Sequence, residues 1–539
     1  MEHFHILTRR GFLDRSIKLG LGVALSTLVD IPLVVKQALA QGNIGLNGKK
    51  LLFIFLRGAN DSLNTLIPIQ DSAYNTDHLA ATNDVIRPNI AILKDAIDYS
   101  STGGCDFPIS ALSGDATFGY TKGIRLGNGF AALHPALKFL APVYNAGDLA
   151  LIHRVAYPKQ SRSHFDSQNY WENGTPNNNL VKDGIFYRTI IQSGLAHTNA
   201  LTGVSVASAL PLSLRGSSAA MTNLTDPLRY NLLGFPNSST GNSKYDKTLF
   251  TANQYPFTDK QNRELLQLQY QNLSDTLSIF GGIDFTETGN TFVDDANTDN
   301  DTGHYYLFPT TDAKNGGFSM HGGDKNKFVV DTGAYSLFAN LKAAALILNK
   351  TDAVIAGTEF GGFDTHNVQG GATGAQANLL RRIGWSMYAL QKYFTNYADK
   401  VNWNDVVVIT LSEFGRTSKQ NTSLGTDHAE AGVMFAAGGS VNGYNKGSPH
   451  SGVFGCSPSD PVPWVTGLTG SMFAINSNYL RRIYDYRSVL GKVIRDHLGA
   501  TQSQLNSIIP GYADGREKLL AGGLSTIDNT QIAGEPNIL

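Results

Sequence analysis

Two strongly apolar runs constrain this chain more than any other feature. They are Leu51-Leu52-Phe53-Ile54-Phe55-Leu56, closed by Arg57-Gly58, and Val406-Val407-Val408-Ile409-Thr410-Leu411. A strand with one wet face alternates apolar and polar residues. A run that is apolar at both parities fits a strand covered on both faces, as in a parallel sheet. Around these runs, strand and helix patterns take turns. Leu149–His153, Ala353–Gly357 and Val433–Gly438 predict further strands. Helices are expected over Pro135–Tyr144, with Pro in the first turn, and over Tyr335–Leu348, Ala375–Tyr397 and Tyr486–Leu498, the last capped by Asp485. The alternation predicts an α/β fold: a doubly wound, mostly parallel sheet with helices on both faces.

The rest of the 539 residues divides around that frame. Between about 201 and 323 the pattern dissolves into Asn, Ser, Thr, Asp and Gly, with one helical stretch near Arg263–Leu277; this reads as an insertion or cap. From Ser525 to Leu539 no core pattern is visible, so 525–539 is expected to be a loose tail. At the other end, Thr8-Arg9-Arg10-Gly11-Phe12-Leu13 carries a twin-arginine pattern. The apolar stretch Leu19–Val29 and the A-x-A site Ala38-Leu39-Ala40 follow it. The order predicts a cleaved signal over 1–40, read by the twin-arginine export machinery, and a mature domain over 41–524 in the periplasm or secreted. No apolar run reaches the ~18–20 residues that span a bilayer, so no stable transmembrane segment is expected in the mature chain.

Charge and cysteine content narrow the function classes. With 43 Lys+Arg against 44 Asp+Glu the formal charge is −1, and a general nucleic-acid binder would carry a basic excess. Two cysteines exclude a disulfide scaffold and any CxxC zinc motif; whether Cys105 and Cys456 pair stays open.

In open α/β sheets ligands bind beyond the carboxyl ends of the strands. Four polar clusters follow predicted strands: Arg57–Asn64; Ser161-Arg162-Ser163-His164-Phe165-Asp166; Glu359 with Gly361-Gly362-Phe363-Asp364-Thr365-His366; and Ser412–Thr417 with Thr426-Asp427-His428. Carboxylates and imidazoles gathered at one sheet edge are ligands for a divalent metal. Asp364 and His366, two apart, face one point only from a loop or strand. Other features read as structural: His134 before a helix, His153 inside a strand. Asp294–Asp301 resembles a calcium loop but lacks its Gly and its terminal acid, and reads as a solvated acidic loop.

The strings Arg57-Gly58-Ala59-Asn60-Asp61-Ser62-Leu63-Asn64, Ser163-His164-Phe165-Asp166, Gly362-Phe363-Asp364-Thr365-His366, Ser412-Glu413-Phe414-Gly415-Arg416-Thr417 and Gly425-Thr426-Asp427-His428 resemble the recurring motifs of one family. It is the secreted bacterial family of unknown function numbered fifteen-hundred-and-one, grouped with the alkaline phosphatase and sulfatase superfamily. The resemblance runs from about Lys50 to Gly499. It implies an alkaline phosphatase-like sheet with one or two divalent ions (Zn, Mn, Mg or Ca) at the strand ends.

Carried over, the metal ligands would be Asp61, Asp364, His366, Glu413, Asp427 and His428. Either Asp427-His428 stands for the superfamily's adjacent Asp-His, or Glu413 takes that place and His428 matches a later single His. Ser163, beside His164, falls in the nucleophile region, with Ser161 and Ser62 as alternatives. Arg416 or Arg162 would hold a phosphate or sulfate oxygen. The resemblance thus implies an exported metal-dependent hydrolase of phosphate or sulfate esters, small or polymeric. The alternative is a non-catalytic secreted binding protein on the same fold, with a degenerate site.

Overall fold

The two apolar runs are neighbouring strands of one nine-stranded sheet. In chain order its strands are β1 (Lys50–Leu56), β2 (Leu149–Ala156), β3 (Gly203–Val206), β4 (Thr222–Leu224), β5 (Ile355–Phe360), β6 (Val406–Leu411), β7 (Gly432–Ala437), β8 (Val453–Phe454) and β9 (Tyr484–Asp485). A computed structural model describes residues 44–74, 86–97, 122–197, 199–226, 275–276, 278–285, 307–308, 334–448, 450–467, 478–513 and 515–539. The expected signal over 1–40, Cys105, the acidic loop Asp294–Asp301 and most of the helix expected over 263–277 lie outside these residues.

The spatial order is β8-β2-β7-β6-β1-β5-β3-β4, with β9 also on β2. β1 is parallel to β6, Leu52 beside Val408, and parallel to β5, Leu52 beside Ala356. Only β7 runs backwards among the paired strands: it is antiparallel to both β6 and β2. The sheet is therefore mostly parallel, as its doubly apolar strands require.

Side-chain parity sorts the two cores. Leu52, Ile54 and Leu56 point into one cluster, and Leu51, Phe53 and Phe55 into the other. On the first side pack helices α1 (Leu140–Asn145), α4 (Tyr335–Lys350) and α5 (Ala375–Lys392), through residues such as Leu140, Leu341 and Ile383. On the second pack α2 (His164–Asn173), α3 (Ile185–Ser193), α6 (Tyr486–Lys492) and α7 (Gln502–Ile508), through Trp171, Ile190, Leu490 and Leu505. Asp485 caps α6 as its sequence position predicts, accepting from the Arg487 N–H.

The tail differs from expectation. Residues 525–539 are not loose: Gln531–Ile532 pairs with Gly523–Leu524, and Ile532 and Ile538 are buried in the second core. Its apolar residues are too sparse to show a period, yet Ile532 and Ile538 land inside and Ala533 and Leu539 pack half-buried against the same core. Among the described residues no helix is long and apolar enough to cross a membrane.

Candidate metal centre

The polar clusters meet beyond the carboxyl ends of β1, β2, β5 and β6. The reversal of β7 matters here. It places the residues that precede the strand, Asp427 and His428, at the same edge as those that follow β6. A single bridge, Arg416 opposite His428, closes that connection.

At this edge His164 Nε2 lies 3.0 Å from His428 Nε2, and His366 Nε2 lies 3.0 Å from His428 Nε2. Asp364 Oδ1 is 3.0 Å from His366 Nε2, 3.3 Å from His428 Nε2 and 3.5 Å from His164 Nε2. The ligating atoms of His164, Asp364 and His428 all fall within 4.8 Å of one another. Each ring has its other nitrogen engaged on the far side. His164 Nδ1 faces Glu413 Oε1 at 2.8 Å, His366 Nδ1 faces Asp427 Oδ1 at 2.9 Å, and His428 Nδ1 faces the Arg162 carbonyl at 2.9 Å. A carboxylate or carbonyl oxygen only accepts, so each Nδ1 carries the proton in the neutral ring. The three Nε2 atoms then present lone pairs to one another and to a carboxylate oxygen.

Arg416 donates to the Asp364 carboxylate and lies 3.5 Å from His366 Nε2, but the facing lone pairs of His164 and His428 repel unless a cation joins them. Ligands ~2.0–2.1 Å from one ion stand about 3.3 Å apart at tetrahedral angles, which matches the separations of 3.0, 3.3 and 3.5 Å among His164, Asp364 and His428. Imidazoles whose outer N–H is held by a carboxylate or carbonyl are the usual arrangement behind metal ligands. The set His164, Asp364 and His428 therefore fits one divalent ion. His366 touches Asp364 and His428 but stands outside that mutually close set.

The electrostatics follow the contacts. Glu413 accepting from His164 pushes that ring's pKa up against the effect of burial. Burial pulls His428 down. Burial raises the Asp364 carboxyl, but the Arg416 guanidinium donating to it more than offsets this, and its pKa falls. Burial likewise works against the charge on Glu413, yet hydrogen bonds from His164, the Gly58 N–H and Gln168 hold its carboxyl below the ordinary range.

The expected residues fall into three groups. Asp364, His366 and His428 converge, and His164, expected beside the nucleophile, converges with them. Glu413 and Asp427 stand behind His164 and His366, on the side away from the convergence, so neither faces the centre as a ligand in this arrangement. Asp61 is elsewhere: fully buried, it takes Arg87 Nη1 at 2.7 Å and Nη2 at 3.0 Å, and Gln369 Nε2 at 2.6 Å. Adjacency to a strand could not tell the front of an imidazole from its back. Arg87 and Gln369 carried no signal in the sequence.

Arg416 also differs from expectation. It is buried, and it donates to the carbonyls of Ala59, Gly58, Phe363 and Thr426 and to Asp364. Its guanidinium ties the ligand loops together and is not free to clamp a substrate oxygen. Gly58 makes that junction possible: at φ 108 it lies so close to the next loop that a Cβ would come within 2.5 Å of Asp364 N. Arg162 is the more open cation. Its side chain is 46% exposed, its carbon lies 4.3 Å from the Tyr479 ring centre, and Nη1 donates to Tyr479 Oη at 2.7 Å.

The serines are placed as follows. Ser163 is the N-cap of α2, its Oγ accepting from the Asp166 N–H at 3.4 Å. Ser161 Oγ accepts from the Ser163 N–H at 3.2 Å. Ser62 is buried and donates to the Ala431 carbonyl at 3.3 Å.

A family model described as "Protein of unknown function (DUF1501)" matches residues 230–446. Over those residues the chain is similar to a family of unknown function. The match takes in Asp364, His366, Glu413, Arg416, Asp427 and His428, and leaves out Asp61, Ser163 and His164. No curated protein and no solved structure matches the chain.

Proposed function

We propose that this chain is an exported, metal-dependent hydrolase of phosphate or sulfate esters that works at the His164–Asp364–His366–His428 centre. The observation that carries the metal is the convergence of three imidazole lone pairs on one carboxylate oxygen, each ring held from behind. Imidazole-rich sets suit zinc better than manganese, magnesium or calcium, which favour oxygen ligands. A divalent ion bound there would supply Lewis acidity, drawing electron density from a substrate oxygen. The ester chemistry and the alkaline phosphatase-like fold rest on the resemblance of the motifs, and export rests on the Arg9-Arg10 pattern.

The chain's own groups have definable parts in this reading. Glu413 and Asp427 fix the tautomers and orientations of His164 and His366. Ser163, at the start of α2, has its hydroxyl beside the free N–H groups of a helix N-terminus, where an anionic group is stabilised. Arg162 offers a half-exposed guanidinium to a substrate oxygen.

Two observations favour the non-catalytic alternative: the Ser163 hydroxyl already caps a helix, and Arg416 is wholly taken up by the protein. The experiment that separates the two is metal analysis of the purified chain, followed by turnover of p-nitrophenyl phosphate and p-nitrophenyl sulfate with the metal bound. Turnover that disappears on chelation supports the hydrolase. Bound metal with no turnover of either ester moves the assignment to a binding protein.

A further inference from the structure

Asp61 heads the first polar motif, yet it does not reach the metal centre. Its surroundings explain what it does. Gln369 is fully buried between the two loops that carry Asp364, His366 and His428. Its Oε1 accepts from Thr365 Oγ1 at 3.0 Å and from Thr426 Oγ1 at 2.7 Å. Thr365 lies between Asp364 and His366; Thr426 lies two residues before His428. One carbonyl oxygen thus clasps both ligand loops. Its amide nitrogen donates to Asp61 Oδ2 at 2.6 Å, and Asp61 is fixed by Arg87 through both guanidinium nitrogens. Arg87 in turn donates to the Ser418 and Thr417 carbonyls at 2.8 and 2.7 Å, just beyond Arg416.

A fully buried ion pair adds little net stability over apolar packing of the same volume. Every Oε1 lone pair and both carboxylate oxygens of this network are nevertheless used; apart from the bond Arg87 gives Asn64 Oδ1 at 2.7 Å, its hydrogen bonds outside the Asp61–Arg87 pair link to the ligand-bearing loops or to Thr417 and Ser418 beside Arg416. We propose that Gln369, anchored by the Asp61–Arg87 pair, is the positioning residue that sets the spacing between the Asp364–His366 loop and the Thr426–His428 loop. It thereby tunes the affinity and ligand field of the centre. The proposal rests on the metal-centre assignment made above.

The test uses the full chain loaded with Co(II), whose visible spectrum reports ligand geometry, and Zn(II) affinity measured by competition with a chromophoric chelator. Gln369→Met keeps the volume and removes the clasp; it should weaken zinc binding about 10–100-fold, as loss of an outer partner does, and shift the cobalt bands. Thr365→Val and Thr426→Val each remove one hydroxyl and should give smaller losses in the same direction, which covers the case of a poorly folding Gln369→Met.

A folded Gln369→Met with the parent's zinc affinity and cobalt spectrum overturns the proposal and leaves the metal centre standing. A parent chain that takes up neither cobalt nor zinc overturns the metal centre, and this proposal with it.

Discussion

Replacing Glu413 by Gln separates a ligand from a residue that holds a ligand. Glu413 Oε1 receives the Gly58 N–H at 2.7 Å, His164 Nδ1 at 2.8 Å and Gln168 Nε2 at 3.2 Å, while Oε2 is buried with no hydrogen-bond partner. In Glu413→Gln the amide oxygen can keep all three donors. Its NH2 then occupies the dry Oε2 position, and a buried donor without an acceptor costs about 1–3 kcal/mol of stability. Removing the carboxylate behind a metal-bound imidazole typically weakens metal binding 10–100-fold. At free zinc 100-fold above the parent's Kd, the ion adds about 2.7 kcal/mol to the parent's stability. For the variant at the same zinc concentration the same relation leaves about 0.4–1.4 kcal/mol. Thermal melts with and without zinc should therefore show the zinc-dependent rise in Tm cut by about half or more, and competition titration should show weakened but saturable binding. Zinc binding lost at every concentration would make Glu413 a direct ligand. Affinity within about twofold of the parent would refute the view that it acts through His164.

Further outcomes follow from the same geometry. His428→Ala should lose both metal and ester turnover, whereas Ser163→Ala should lose turnover and keep the metal if its hydroxyl attacks the ester; metal analysis beside a rate assay checks both. Gly58→Ala forces a side chain into a left-handed conformation against Asp364 N and should cost more than about 1 kcal/mol, read as a lower denaturant midpoint with weaker zinc binding. Burial lowers the pKa values of His134 and His497 to about 4. The folded state holds them neutral while the unfolded chain protonates them near pH 6.5, so stability is full above that pH and falls as pH drops towards 4. Each can contribute up to about 3 kcal/mol. Melts across pH 4–7 should show this slope, and His497→Asn should flatten it. Replacing Arg9 and Arg10 by Lys should hold the precursor in the cytoplasm; normal export of that variant would refute the signal.

The sheet was the most legible part of the fold. Leu51–Leu56 and Val406–Leu411 announced strands because burial on both faces leaves no alternation of polar and apolar positions, Thr410 being the one polar residue in either run. Helix ends were less exact: the stretch expected to run to Leu498 is α-helical only to Lys492 and continues to His497 with wider turns. The direction of β7 could not be read, since Val433–Gly438 is apolar at every position and side-chain pattern carries no polarity. That direction decides which edge receives His428. Of the centre, Asp364, His366 and His428 were legible as residue types at strand ends. Front and back were not, because Glu413 and Asp427 differ from true ligands only in which nitrogen of a neighbouring ring they meet. Asp61 looked like a ligand for the same reason. Its partner Arg87 lies in a stretch with no motif, so nothing marked the pair.

The C-terminal segment has a consequence for how the protein is made. Ile532 and Ile538 belong to the second core, Ala533 N donates to the Ile483 carbonyl, and Asn442 N donates to the Ile538 carbonyl. Until these residues leave the ribosome, the layer formed by α6, α7 and the sheet has an open seam. A nascent chain stalled before residue 531 would present that apolar seam to chaperones and proteases.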